Sequence, residues 1–110
     1  MSSLKNFQTL RSGKEFSYFY NKSAKKHVTT AIAFYKEGSG RRVGFTASKK
    51  VGNAVARNFA KRRMRAAFIN LNDKLKEGTY IFVAKKEILT ADFRRVEQDM
   101  RYALKKLKAL

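Results

Sequence analysis

The residues best suited to chemistry in this sequence lie between Ser48 and Phe68, a segment with seven Lys or Arg and no carboxylate. The stretch without acidic residues is wider still and runs from Gly38 to Asn72. Guanidinium and ammonium groups bind phosphate oxygens, and Arg can do so through two parallel hydrogen bonds. Successive turns of one predicted helix carry such groups: Arg57, Lys61, Arg62 and Arg65. This pattern predicts a surface that binds the phosphates of a nucleic acid.

The composition favours a polyanionic partner and leaves little for catalysis. The chain of 110 residues has 26 Lys or Arg against eight Asp or Glu, a formal net charge of +18. Nucleic acid is the expected partner, and an anionic membrane surface is the less favoured alternative. No apolar run approaches the roughly 20 residues of a membrane span, so we expect a cytoplasmic protein without a membrane partner. With no Cys and a single His, the sequence offers little for a metal site or for protein-based catalysis.

The elements before the cationic segment are predicted from capping and periodicity. Ser12 and Glu15 match a capping box at the start of a helix from Gly13 to about Asn21, with three aromatic residues on one face. Alternating side chains predict strands at Val28–Tyr35 and Arg41–Ser48, and the Gly-rich loop between them predicts a hairpin. The other segments are expected to be irregular: Met1–Thr9 and Asn21–His27.

The cationic segment is predicted to form a helix with two different faces. Asn53 is a suitable N-cap, and neither Pro nor Gly interrupts the chain before Gly78, which is expected to end the helix. At 100° per residue, one stripe is apolar: Ala60, Met64, Ala67, Phe68, Leu71 and Leu75. The cations occupy a neighbouring arc, and Phe59 lies on the outer side. We therefore expect one face in the core and another at a ligand.

The rest of the chain is predicted to add a strand and a helix. Tyr80–Ala84 is apolar throughout, Lys85–Thr90 is a basic loop, and Asp92 can cap a final amphipathic helix from Phe93 to Leu107. The order is helix, hairpin, helix, strand, helix. It indicates an α+β fold, a small mixed β-sheet packed with helices, in a single RNA-binding domain over residues 1–110.

The central motif also resembles a known family. The run from Val43 to Val55, followed by Arg57-Asn58 and the cations of the next two turns, is similar to the signature of the bacterial ribonuclease P protein subunit. The likeness covers nearly the whole chain. It implies a ribosomal-protein-like two-layer α/β sandwich with a left-handed βαβ crossover. It also implies a protein that binds a catalytic RNA subunit and precursor tRNA and assists removal of the 5′ leader. The Mg²⁺ would be used by the RNA-containing holoenzyme, with none bound by this chain alone.

The resemblance assigns site residues to two groups. The RNA-binding group is expected to comprise Lys49, Lys50, Asn53, Arg57, Asn58, Lys61, Arg62 and Arg65. The leader-binding cleft, between the sheet and the first helix, is expected to comprise Phe16, Tyr20, Phe34 and Thr46. No catalytic residue is expected in this chain, because the resemblance implies that the RNA carries out the hydrolysis.

One position departs from the family pattern. The family has an Arg-Asn-Arg triplet where this sequence has Arg57-Asn58-Phe59, so a ring replaces one guanidinium. Phe59 could stack on a base or ribose, pack against the partner RNA, or make an apolar contact within the protein. Two other functions stay open from the residues alone: a ribosomal or other structural RNA-binding protein, and a stand-alone nuclease, which the scarcity of acids and histidines disfavours.

Overall fold

Five strands and three α-helices form in the part of the chain that the structure describes, a computed structural model covering residues 4, 6–71 and 74–110. Their bounds are β1 Gln8–Thr9, α1 Gly13–Lys22, β2 Ala24–His27, β3 Ala31–Glu37, β4 Arg41–Thr46, α2 Ala54–Ile69, β5 Gly78–Ala84 and α3 Phe93–Lys106. A short 3-10 helix, Lys86–Leu89, lies in the segment predicted as a basic loop. The strands make one mixed sheet in the order β1-β4-β5-β3-β2, which confirms the predicted α+β class.

The predicted hairpin of Val28–Tyr35 with Arg41–Ser48 is wrong, because β5 lies between these two strands. β5 pairs antiparallel with β3 and parallel with β4. The loop after Glu37 therefore joins the two strands on either side of β5, and the backbone N–H of Gly78, the first residue of β5, donates to the Gly40 carbonyl at 2.8 Å. Gly78 has φ +144°, and a Cβ there would lie 2.4 Å from the Lys36 carbonyl oxygen. Only glycine fits here without displacing the end of β3.

The predicted end of the cationic helix is also wrong. α2 ends at Ile69, and Gly78 begins β5 instead of terminating the helix. The predicted helical path between them runs through residues 72 and 73, which lie outside the described residues. The apolar spacing typical of a helix continues to Leu75, and the prediction therefore extended the helix that far. In the structure Leu75 is buried, but it lies in an irregular segment.

A different hairpin forms where the sequence suggested an irregular connection. β2 pairs antiparallel with β3, with His27 opposite Ile32 and Lys25 opposite Phe34. β2 lies at the edge of the sheet and its residues are mostly exposed, so it lacks the apolar alternation that marks a strand in a sequence. At the opposite edge, β1 occupies part of the predicted irregular Met1–Thr9 segment, of which residues 1–3 and 5 lie outside the described ranges.

The helices α2 and α3 cover one face of the sheet and form the main core. The predicted apolar stripe is confirmed as far as α2 extends, with Phe68 and Met64 fully buried. Phe68 packs against two aromatic side chains of β5: its ring centroid lies 5.7 Å from that of Tyr80 and 5.5 Å from that of Phe82. The α2 helix also connects the parallel strands β4 and β5, as a βαβ crossover requires. The left hand of that crossover stays a prediction.

A buried carboxylate joins the helix layer to the β2–β3 turn. Asp99 in α3 accepts hydrogen bonds from the Thr30 backbone N–H at 3.0 Å and from the Thr30 hydroxyl at 2.7 Å. Arg95, one turn earlier, donates to the other Asp99 oxygen at 2.9 Å and to the Thr29 hydroxyl at 2.7 Å. The charged group is thus paired and hydrogen-bonded, as burial requires. Sequence reasoning did not identify this contact, because it joins residues 69 positions apart.

Candidate nucleic-acid interface

The turn before α2 holds two of the predicted RNA-binding residues at the surface. Lys49 and Lys50 are both exposed, and the turn is closed by a hydrogen bond from the Val51 N–H to the Ser48 carbonyl at 3.0 Å. Val51 is buried and anchors the turn to the core. Two ammonium groups are therefore kept beside the start of the helix.

Asn53 caps α2 as predicted. Its side-chain oxygen accepts a hydrogen bond from the Ala56 backbone N–H at 2.9 Å, which satisfies one of the helix's unpaired donors. Arg57 turns back toward this cap and donates to the Gly52 carbonyl at 2.9 Å. Arg57 therefore lies apart from the three cations of the following turns, with one of its five donors already used.

Those three cations come together beside the sheet edge. Lys61, Arg62 and Arg65 line one side of a shallow pocket of about 180 Å³, whose other side is formed by Thr9, Leu10 and Phe45. Asn58 is exposed on the same helix, as the predicted assignment requires. We call Lys61, Arg62 and Arg65, with Asn58, the cationic face of α2.

The charge of this face is not neutralised within the described structure. Among residues 4, 6–71 and 74–110, the single ion pair is Arg95–Asp99, on α3. Like charges on successive turns repel each other by a few tenths of a kcal/mol per pair, roughly. A polyanion removes that repulsion when it binds, so the arrangement favours phosphate groups as ligands.

Arg63, which the resemblance did not assign, has a structural part. Its guanidinium donates to the carbonyls of Ile88 at 2.6 Å and Ala91 at 2.5 Å. These bonds tie the end of the 3-10 helix to α2 and satisfy two carbonyls that lack helical partners. The same guanidinium lies 5.3 Å from the centroid of the Phe59 ring. Helical spacing places Arg63 about 100° around α2 from Arg62, but it could not identify these partners, which are remote in the chain.

A second candidate surface lies on the opposite face of the sheet, where α1 covers only part of it. The register places Gly44, Ile81 and Phe34 side by side on β4, β5 and β3. The Phe16 ring lies directly over Gly44, and a Cβ at that position would be 2.6 Å from the ring. The Tyr20 ring then lies 4.9 Å from that of Phe34 and 6.1 Å from that of Phe16. Three of the four predicted cleft residues therefore form one cluster of rings.

The next row of the sheet is the open floor of this cleft. Thr46, the fourth predicted residue, stands beside Val83, which stands beside Ile32. All three are half-buried. Sequence reasoning missed Ile32 and Val83, although the alternation of β3 already put Ile32 on the same face as Phe34. We use the name aromatic cleft for this surface, walled by Phe16 and Tyr20 and floored by Phe34 and the open row.

The charge states around the cleft follow from hydrogen bonding and burial. The backbone N–H groups of Arg11 and Ser12 donate to the Glu15 carboxylate and lower its pKa below the usual value. Ser12 also accepts from the Glu15 N–H, so the predicted capping box of α1 is confirmed. Partial burial raises the pKa of the Tyr20 hydroxyl. The cleft therefore presents neutral rings at neutral pH, which suits stacking more than ion pairing.

Neither surface has the features of a metal centre or a membrane segment. Within the described ranges, no three side chains of the types His, Cys, Asp and Glu lie close enough together to hold a metal ion. The helices there, of which α2 has 16 residues, are not long and apolar enough to cross a membrane.

Known proteins carry the same pattern over almost the full length. The family model described as Ribonuclease P matches residues 4–108. The chain is 45% identical over 105 residues to the ribonuclease P protein component of a Nitratiruptor species, covering 96% of each chain. It is 33% identical over 111 residues to that of Shouchella clausii, covering 97% of this chain and 91% of the other.

Solved structures of low sequence identity share the fold. The RNase P protein of Staphylococcus aureus superposes with a TM-score of 0.81 at 22% identity, covering 92% of this chain and 95% of that one. The RNase P protein of Thermotoga maritima gives a TM-score of 0.75 at 21% identity, with 94% and 97% covered. The family match and the full-length relatives lead to one conclusion: the chain belongs to the ribonuclease P family, as a protein component of this tRNA-processing endoribonuclease.

Proposed function

We propose that this chain binds the catalytic RNA subunit through the cationic face of α2 and the 5′ leader of precursor tRNA in the aromatic cleft. In this way it assists the endonucleolytic maturation of the tRNA 5′ end. The observation that carries the proposal is the pairing of two unlike exposed surfaces on one small domain. One is cationic and has no internal counter-charge among the described residues, and the other is a set of accessible rings.

The cationic face supports binding to a structured RNA. Lys61, Arg62 and Arg65 project from a helix whose other side is fixed in the core by Met64 and Phe68. Their backbone positions are therefore rigid before the ligand arrives, which lowers the entropy lost on binding. Such contacts go to phosphates and read the shape of a folded RNA, not its bases.

The aromatic cleft supports binding to a single strand. The Phe16 and Tyr20 rings are half-buried, so each is held by the protein and still offers surface to a ligand. Unpaired bases stack on such rings with about 1–3 kcal/mol each and with little sequence preference. A 5′ leader differs in sequence from one precursor to the next, so a tolerant surface is appropriate.

The division of labour follows from the side chains at hand. The described residues do not bring together three acids or histidines that could hold Mg²⁺. Since the side chains in that part of the chain do not fit a protein-bound Mg²⁺, we assign the ion and the hydrolytic step to the RNA subunit. The chain contributes binding, positioning of the leader and screening of phosphate repulsion.

Cleavage of a precursor tRNA at low Mg²⁺ tests this function. Reactions contain the RNA subunit alone, the protein alone, or both, and the 5′ leader released is measured. We expect little cleavage by either component alone and efficient cleavage by the two together. Cleavage by the protein alone would contradict the assignment of the chemistry to the RNA. An RNA activity that the protein leaves unchanged would indicate a structural RNA-binding role instead.

Two variants separate the surfaces. Arg62→Ala should weaken binding of the RNA subunit and reduce the slope of log affinity against log salt by about 0.9, one phosphate contact. Phe16→Ala should leave that slope unchanged and reduce the preference for precursor over mature tRNA. Identical effects of the two substitutions would show that the surfaces do not act separately.

A further inference from the structure

The outer side of α2 carries two exposed apolar side chains that the proposed function does not use. Val55 is 76% exposed and Phe59 is 37% exposed. Single exposed apolar residues are common on proteins. These two are four residues apart and therefore neighbours on one side of the helix, in the most cationic element of the chain.

The Phe59 ring is held in place by a guanidinium that is itself held. Arg63 lies 5.3 Å from the ring centroid, a distance suited to cation–π attraction. Arg63 cannot swing away freely, because it donates to the carbonyls of Ile88 and Ala91. The ring therefore has a fixed support on one side and solvent-accessible surface elsewhere. A preorganised ring loses less rotamer entropy when a ligand stacks on it.

The ring also borders the cationic face. At 100° per residue, Arg62 lies about 60° around the helix from Phe59, on the side away from Arg63, and Asn58 lies about 100° around in the same direction. A nucleic acid strand whose phosphate meets Arg62 can therefore reach Phe59 with an attached base.

We propose that Phe59, with Val55 beside it, is a stacking platform for an unpaired nucleobase of the RNA bound on the cationic face of α2. The inference rests on the proposed function, which supplies that RNA. A nucleotide fits because it combines a base with an apolar π-face and an anionic phosphate, matching a ring beside arginines. A protein partner fits poorly, since covering this patch would bury nearby cations without a counter-charge from α2.

Where the family pattern has an arginine, Phe59 offers a stacking contact in place of a charge contact. Stacking releases few counterions, so its share of the affinity depends little on salt, unlike that of a phosphate contact. Phe59→Ala should therefore lower affinity for the RNA subunit by roughly 5- to 150-fold at every salt concentration, without changing the salt slope. Phe59→Leu retains the apolar surface but not the ring, and should lose less.

Fluorescence tests the contact directly, because the chain contains no Trp. In the Phe59→Trp variant, stacking of a base on the indole should quench its emission when the RNA subunit binds. Inorganic polyphosphate supplies the charge without bases, and should bind while leaving the emission largely unchanged. Tyr102→Trp is the matched control. Tyr102 is 50% exposed on α3, with Lys26 and Lys106 near its ring at 5.8 and 5.4 Å, but it lies outside the platform.

Quenching at position 59 by the RNA, absent with polyphosphate and weak at position 102, supports the platform. Equal quenching by the RNA and by polyphosphate, or an RNA affinity unchanged in both Phe59→Ala and Phe59→Leu, overturns it. If Arg62→Ala weakens binding while both Phe59 variants bind normally, the platform is rejected and the proposed function stands. If the wild-type chain does not bind the RNA subunit, both are rejected. Circular dichroism of each variant checks that α2 remains folded.

Discussion

On one face of the sheet, which we call the sealed face, Phe68 of α2 packs against Tyr80 and Phe82 of β5, and none of the three has exposed surface. On the other face, Phe16 lies over Gly44 and Tyr20 packs against Phe34, and the rings of Phe16 and Tyr20 are only half-buried. The side-chain types are alike, and the strands alternate to supply both faces. The difference lies in the covering helices, since α2 and α3 have 16 and 14 residues and α1 has 10.

This contrast separates stability from ligand binding. A fully buried ring contributes its whole transfer free energy to folding. A half-buried ring contributes only part of it, and the remaining apolar surface can be buried when a ligand binds. A domain of this size has a limited apolar surface with which to stabilise itself. The sealed face must therefore account for most of the folding free energy, and the aromatic cleft can be altered at smaller cost.

The largest effect is expected on the sealed face. Phe68→Ala removes a ring that contacts Phe7, Phe45, Tyr80 and Phe82, and should lower the free energy of unfolding by about 3–5 kcal/mol. Phe16→Ala, the matched change on the other face, should lower it by about 1 kcal/mol. Urea unfolding of both variants measures the difference. Equal losses would remove the distinction between the faces.

Removing the buried Asp99 carboxylate, which joins α3 to the β2–β3 turn, should have the next largest effect. Asp99→Ala leaves the Thr30 N–H and hydroxyl without their acceptor at a buried site, and should cost about 1–3 kcal/mol. Thermal unfolding measures the loss. Gln98→Ala is the control, since Gln98 lies on the same helix and is exposed. A cost for Asp99→Ala no larger than for Gln98→Ala would mean that Asp99 does not stabilise the β2–β3 turn.

The aromatic cleft can be distorted without opening the core. Gly44→Ala puts a Cβ 2.6 Å from the outer atoms of the Phe16 ring, so the ring must move. We expect a stability loss of about 1 kcal/mol, because the ring is half-buried and can shift. The preference for precursor over mature tRNA should fall by about tenfold, within the range of one stacked base. An unchanged preference, with the fold intact, would show that the position of Phe16 in the cleft is unimportant.

The smallest effect concerns acid pH and the helix over the cleft. The N–H groups of Arg11 and Ser12 lower the pKa of Glu15 in the folded protein below its ordinary value of 4.5. The ionised carboxylate therefore stabilises α1 fully when the pH is above that ordinary pKa. That contribution is lost as the pH falls through the lowered folded pKa. The protection of the α1 amides from hydrogen exchange, measured relative to the intrinsic rate at each pH, should therefore fall in this acidic range, while that of α2 should not. In Glu15→Gln the acceptor remains but does not titrate, and an equal loss of protection there would exclude the carboxylate as the cause.

Local features of the fold were predictable because their causes are local. Ser12 with Glu15, and Asn53 with Ala56, satisfy helix ends within three residues, so residue type and spacing identify them. The buried stripe of α2 follows from its 3.6-residue period. Phe59 was placed on the outer side by the same reasoning, and it is exposed. Strand β2 was missed because its residues are polar at an exposed edge.

The candidate site was only partly accessible from the sequence. Helical spacing put Lys61, Arg62 and Arg65 together, and the structure places them along one pocket. The same spacing could not show that Arg57 turns back to Gly52 or that Arg63 binds remote carbonyls. That the residues of the two predicted groups contact RNA stays a prediction, which the binding experiments above would test.

The sequence by itself determined a cationic helix, its buried stripe, the caps and the family to which the chain belongs. The tertiary structure decided that β5 enters between β3 and β4, and thereby which side chains share the cleft floor. The physical reason is that periodicity reports which face of an element avoids water, and it carries no information about the neighbouring strand. The neighbouring strand is determined by pairing between segments that are distant in the chain. Here β5 can pair beside β3 because Gly78 has no Cβ to collide with the Lys36 carbonyl.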